Sequence, residues 1–389
     1  METVLCGATA YRYWRTPPIV LHLAAAPADS AALRKFVRED EILAFRAELA
    51  ERLPFMRECS GTSWRNVSQA AKDIRDAQWL LAPSATFPLD VLAQERGARR
   101  SSGLISTTFW NGGLPFEATS DVTDDLEVTT PAFTMVQMAA QEGFTKALLL
   151  ASELCGSYAV YPAPEPIRFL LQRIASRGRL KSFLGWRPCL DGEGRVTDLW
   201  QRGPLTTPEE LGAMAAAAEG HRGAATLRKV AETVVPLAAS PFETQAGLLL
   251  GLPRHLGGEG FDGLSHNEKV ELSRDAKLVG QRQCCYCDIY WPDGLDVECQ
   301  SAQYHDNLDG FLSDAERAAA LQLMGVSVLP LTHAQLTDPA RFDAFCDAVA
   351  LARDIKRKPK TDKQIDATKR LRSEIFVDWS ALPDVISRK

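Results

Sequence analysis

Several features that would have classified this chain quickly are missing from it. No run of 18 apolar residues occurs in its 389 positions, so a membrane-spanning helix, and hence a membrane partner, is not expected. The N-terminus lacks the charged-then-apolar layout of an export signal, and a cytoplasmic location is the expectation. No repeat of solenoid period is present. Gly257-Gly258-Glu259-Gly260 lacks the Lys-Ser/Thr of a phosphate-cradling loop, and no organic cofactor is expected. The nine cysteines are irregularly placed and read as reduced thiols. Cys284, Cys285, Cys287 and Cys299, with His266 or His305, invite a zinc reading. However, a strand sends Cys284 to the face opposite Cys285 and Cys287, so no zinc is expected.

What is present suits an ordinary globular protein, with 46% hydrophobic and 24% charged residues in a length that predicts two or three domains. The net charge of −6 hides an asymmetry. Between Arg353 and Arg372 stand nine Lys/Arg against three Asp/Glu, so that segment carries +6 and the remainder about −12. The tail residues Lys356, Arg357, Lys358 and Lys360 could track a phosphate backbone, as could Arg99 and Arg100. Few aromatics interleave with them, so stacking on single strands is not expected.

The densest chemistry lies between Arg282 and Gln300. Two strand-like runs flank Pro292-Asp293-Gly294, and a three-residue hairpin loop with Gly294 left-handed pairs Trp291 with Leu295. Counting back sets Asp288 opposite Glu298 on one face, with Gln300 diagonally beside them. Facing carboxylates repel unless a positive charge sits between them, and a divalent cation with oxygen ligands is the natural candidate. Mg²⁺ or Mn²⁺ there would be the engine of phosphodiester hydrolysis.

The surrounding pattern predicts an α+β domain over 1–160, a helical connector over 161–239, an α/β domain over 240–350 and a basic helical tail over 351–389. Within the first, Arg34 to Leu53 reads as one amphipathic helix with Leu33, Phe36, Val37, Ile42, Leu43 and Leu49 inward, and 103–110 reads as a strand. Ser240-Pro241-Phe242-Glu243, Thr207-Pro208-Glu209-Glu210 and Ser313-Asp314-Ala315-Glu316 are helix-start signals. From Ser240 onward the order is helix, three strands, helix, strand, with the last strand parallel to the third. The helix from Pro339 is expected to run towards Lys358.

That order, with Ser240-Pro241-x-Glu243-Thr244, Cys287-Asp288-x-x-Trp291-Pro292, Val297-Glu298, His305, Asp314-x-x-Arg317 and Val328-Leu329-x-x-Thr332-x-x-Gln335-Leu336, resembles a very-short-patch-repair-like endonuclease domain of the PD-(D/E)xK restriction-endonuclease-like fold. Gly7-Ala8-Thr9-Ala10 and Leu126-Glu-Val-Thr-Thr-Pro131 resemble the AbiEi-type antitoxin proteins of type IV toxin–antitoxin systems, which often carry such a domain. The winged helix-turn-helix with which those antitoxins usually begin has no counterpart here.

The resemblance implies Glu243, Asp288 and Glu298 as cation ligands, with Asp288 and Glu298 catalytic. Gln300 stands where the family has its lysine, and an amide cannot act as the base. His305, Lys269 or Lys277 could supply the missing group. Arg282 and Arg317 join the tail cations as candidate nucleic-acid contacts. Two functions stay open: a degenerate nuclease domain serving as a regulatory or antitoxin-like scaffold for a cognate toxin, and an active Mg²⁺- or Mn²⁺-dependent DNA endonuclease.

Overall fold

The computed structural model describes residues 2–95, 101–300 and 308–383, with backbone alone at 66 and 308–314. Its described strands are β1 (Thr3–Leu5), β2 (Leu89–Ala93), β3 (Ile105–Phe109), β4 (Thr119–Thr123), β5 (Leu126–Thr129), β6 (Tyr158–Val160), β7 (Arg187–Leu190), β8 (Val196–Gln201), β9 (Ser265–Glu271), β10 (Cys284–Trp291), β11 (Leu295–Gln300) and β12 (Ser327–Thr332). They form three sheets ordered β3-β2-β1-β5-β4, β6-β8-β7 and β12-β11-β10-β9. The protein is a mixed α/β structure whose sheets combine parallel and antiparallel pairs. Among the described residues, no helix is long and apolar enough to cross a membrane.

In the first region, β1 leads into helix Gly7–Arg15. Gly7 has φ +54, a conformation that glycine adopts freely, and its amide donates to Gln137 Oε1 at 2.7 Å. The single helix expected from Arg34 to Leu53 is two, Ala31–Arg34 and Glu39–Arg52. Leu33, Phe36, Val37, Ile42 and Leu49 are buried as expected, but Leu43 is 54% exposed. The second helix turns Ile42, Phe45 and Leu49 inward, and Leu43 stands about 100° round from Ile42, on the solvent side.

The stretch 161–239, expected to be helical, holds helices Glu165–Ser176, Pro208–Ala217 and Ala224–Thr233 and also β7 and β8, which complete a sheet with β6. Those strands are short and separated by a turn at Gly194 (φ +74), too little length for a period-2 signal.

The last region runs helix Pro241–Gly251, β9, short helix Arg274–Gly280, β10, β11, helix Leu308–Leu323 and β12. Strand β12 pairs parallel to β11 from Leu295↔Ser327 to Gln300↔Thr332, and Pro330 sits on this edge strand, where its missing N–H is tolerated. Ser313–Glu316, read as a helix start, lies inside Leu308–Leu323. The helix from Pro339 ends at Ala352 rather than near Lys358, and helix Asp362–Ile375 follows.

One apolar cluster links these regions, from Tyr11, Phe133 and Leu149 through Leu227 and Leu249 to Trp291, Val349 and Trp379. A buried ion pair pins its centre. Glu153 accepts from Arg15 Nε at 2.8 Å, the Tyr11 hydroxyl at 3.0 Å and the Val160 amide at 3.0 Å. Arg15 also donates to the Trp379 carbonyl at 2.8 Å and to that of Leu382, tying the chain's last described turn to its first helix.

Candidate functional site

The hairpin forms in the expected register. Trp291 pairs with Leu295, Ile289 with Val297, and Gly294 is left-handed at φ +89. The β10–β11 ladder then stops one residue short of Asp288. Asp288 Oδ2 accepts from the Cys299 amide at 2.9 Å, a carboxylate taking the place of a ladder carbonyl. On the other side of β10, Asn267 in β9 has φ +50, a conformation that asparagine tolerates, and it interrupts the bridge opposite Asp288. The inward face of β10 changes there. Cys285 and Cys287 pack with Leu272, Ala276 and Ala320, whereas Ile289 and Trp291 join the main core.

Glu243 lies in the first turn of helix Pro241–Gly251. Ser240 Oγ caps that helix by accepting from the Glu243 amide at 3.1 Å. The Glu243 carboxylate accepts three hydrogen bonds, from the Ala239 amide (2.7 Å), Ser240 Oγ (3.0 Å) and Asn267 Nδ2 (3.0 Å). Burial, and then the charge of Asp288, nevertheless push its pKa up to about 8 against those donors. His266 is buried behind it, donating from Nδ1 to the Asp288 carbonyl at 3.1 Å, and burial holds its pKa down to about 4. Gly247 must be glycine here, because a Cβ would stand 2.5 Å from His266 Nε2.

Glu298 meets the guanidinium of Arg317, from helix Leu308–Leu323; Arg317 Nη1 donates to the Tyr286 carbonyl at 2.9 Å. Asp296, two residues before Glu298 on the same face of β11, is fully buried. Neither of its oxygens makes a hydrogen bond of normal geometry, although the Cys287 thiol and Ile289 amide face it. Burial first, then Asp288's charge, raises its pKa to about 7, and Arg317 opposes the rise. Sequence reasoning passed over Asp296, yet the alternation that paired Asp288 with Glu298 would have found it.

A cleft of about 890 Å³ opens beside these groups, lined by Glu243, Glu298, Cys299, Gln300, Arg317 and His333 and, from β8, Asp198. The three carboxylates expected to share a cation are thus each held by a different protein donor. As arranged they do not fit a divalent ion, and no group of three His, Cys, Asp or Glu side chains among the described residues is placed to hold one.

The remaining candidates scatter. Lys269 pairs with Glu271 at 2.5 Å on the outer strand β9, away from the carboxylates, and Lys277 sits in helix Arg274–Gly280. Arg282 donates to the Gly280 carbonyl at 3.0 Å. In the basic tail, Arg357 and Lys360 both bind buried Glu259, and Arg357 also holds Asp343 at 2.7 Å. Those two cations are thus committed to the protein interior, while Lys356 and Lys358 are exposed. His305, Arg99, Arg100 and the side chain of Asp314 lie outside the described residues.

No family model, curated protein or solved structure matches the chain.

Proposed function

We propose that this chain is a nuclease-fold protein of a bacterial defence or toxin–antitoxin system, whose C-terminal α/β region serves as a non-catalytic scaffold for a cognate toxin. One observation carries the reading: Glu243, Asp288 and Glu298 are each engaged by protein donors. Nuclease chemistry needs those oxygens free to hold a cation that generates hydroxide and neutralises the phosphate. It also needs a group that can move a proton, and Gln300 has none. The succession helix, strand, strand, strand, helix, strand, with β11 and β12 parallel, supports assigning the region to the restriction-endonuclease-like class. The direct test is co-expression with a nucleotidyltransferase-like toxin encoded beside it. Growth rescue by wild type, and equally by Asp288→Ala, is expected; rescue that depends on Asp288, or no rescue, counts against the scaffold.

The alternative, a Mg²⁺- or Mn²⁺-dependent DNA endonuclease, is favoured by the cleft itself, which Glu243, Glu298 and Gln300 all reach. It predicts plasmid cleavage in Mn²⁺ that Asp288→Ala abolishes.

A further inference from the structure

Helix Pro241–Gly251 borders two cavities. Glu243 and Gln245 line the cleft described above, whereas Thr244, Gly247, Leu248 and Gly251 line a separate space of about 330 Å³ that shares no lining residue with it. Those four positions follow the spacing of a single helical stripe. Leu252, Leu256 and Leu264 extend the apolar wall, and no Lys or Arg lines the cavity. Small-molecule sites run from roughly 300 to 1,000 Å³, so there is room for a small ligand.

Three polar groups border that space. His266 is only 5% exposed. Its Nδ1 meets the Asp288 carbonyl, which can only accept, so the ring proton is on Nδ1 and Nε2 keeps its lone pair. Burial opposes a second proton on the ring. Nε2 makes no hydrogen bond to a described residue, and it stands at the Gly247 wall, where a Cβ would meet it at 2.5 Å. A buried acceptor in that state costs free energy until a donor reaches it. The other two groups are the carboxylates of Glu232 and Asp262, both on exposed residues, and neither pairs with a cation among the described residues. Glu232 belongs to the last turn of helix Ala224–Thr233, whose carbonyl end adds to the negative potential.

We infer that this cavity takes a small organic cation: a primary amine whose apolar body carries an O–H or N–H donor at its far end. The ammonium is held by Glu232 and Asp262, the body packs on the leucines, and the far donor satisfies His266 Nε2. A metal ion is the poorer occupant, because it gains nothing from apolar walls and no group of three His, Cys, Asp or Glu among the described residues is placed to hold one. An anion is repelled by both carboxylates. The site is distinct from the β10–β11 carboxylates, and the inference stands whether or not the α/β region is a scaffold.

The probe is tyramine, compared with phenethylamine, which lacks the hydroxyl, and with 3-(4-hydroxyphenyl)propanoate, which carries a carboxylate in place of the ammonium. Calorimetric titration of the full chain is expected to give saturable binding of tyramine, binding of phenethylamine about threefold to tenfold weaker, and none of the propanoate. In Glu232→Gln/Asp262→Asn, tyramine should bind about tenfold more weakly, with its advantage over phenethylamine kept. In ¹⁵N spectra of histidine-labelled wild type, the His266 Nε2 resonance should move with tyramine and stay in place with phenethylamine. No saturable binding of tyramine, or binding no better than that of either analogue, overturns the inference. So does full affinity in the double variant, or a His266 resonance that tyramine leaves unmoved. The three-ligand comparison uses wild type alone, so it decides the matter even if the double variant fails to fold.

Discussion

Glu153 and Asp296 are both fully buried carboxylates, and they are treated in opposite ways. Glu153, in the main core, has an arginine, a tyrosine hydroxyl and a backbone amide as donors, and its arginine continues to two carbonyls near the C-terminus. Asp296, in the α/β region, has no hydrogen bond of normal geometry, and the positive charge that favours its ionisation is that of Arg317, which is itself paired with Glu298. Protein interiors hold charges cheaply only when every lone pair is met. Glu153 obeys that rule and reads as a structural staple. Asp296 breaks it, and such exceptions gather at functional sites.

The largest effect should come from breaking the staple. Glu153→Ala leaves Arg15, the Tyr11 hydroxyl and the Val160 amide without their partner in a dry interior, and is expected to cost about 3–5 kcal/mol in urea unfolding. A loss below about 1 kcal/mol would erase the contrast between the two regions.

Next in size is a pH dependence. Glu243 and Asp296 have folded pKa values raised to about 8 and about 7 from 4.5 and 3.8. The native protein therefore keeps protons that the unfolded chain releases. That stability is fully present below the unfolded values and is lost as pH rises through about 7 to 8. Urea midpoints measured between pH 5 and 9 should fall across this window, and Glu243→Gln should flatten much of the fall. Its amide keeps the geometry, because the carbonyl can take the Ala239 amide while the NH₂ donates to a reoriented Ser240 hydroxyl. An unchanged slope in the variant would show that Glu243 does not hold the proton.

Smaller still is Asp296→Val, which replaces an unsatisfied carboxylate with an apolar group of similar size on a strand. It should leave stability unchanged or raise it by about 1 kcal/mol, the reverse of Glu153→Ala. A loss as large as that of Glu153→Ala would mean that Asp296 is equally well partnered. Smallest is Lys269→Ala: with both ends of the Lys269–Glu271 pair exposed, the melting temperature should not change measurably.

The turn chemistry of the site was legible in the sequence. Pro292-Asp293-Gly294 set the loop, so Trp291 had to face Leu295, and the helix after β11 made β12 its parallel neighbour. Local signals end there. Asn267 reverses the face of β10 at Asp288 from a different strand, so counting along the hairpin could not show that Asp288 would turn to the Cys299 amide. Arg357 and Lys360 read as solvated charge because their partner, Glu259, is about 100 residues earlier in the chain. Strands β7 and β8 were invisible because their stability comes from the pairing of β8 with both β6 and β7 and not from their own few residues.

The claim that the carboxylates are already spoken for is tested most directly by plasmid cleavage. Purified wild type and Asp288→Ala, freed of contaminating nucleases, are incubated with supercoiled plasmid in millimolar Mn²⁺ and the nicked fraction is followed with time. The account predicts the same background for both proteins. Nicking by wild type that Asp288→Ala abolishes would contradict it.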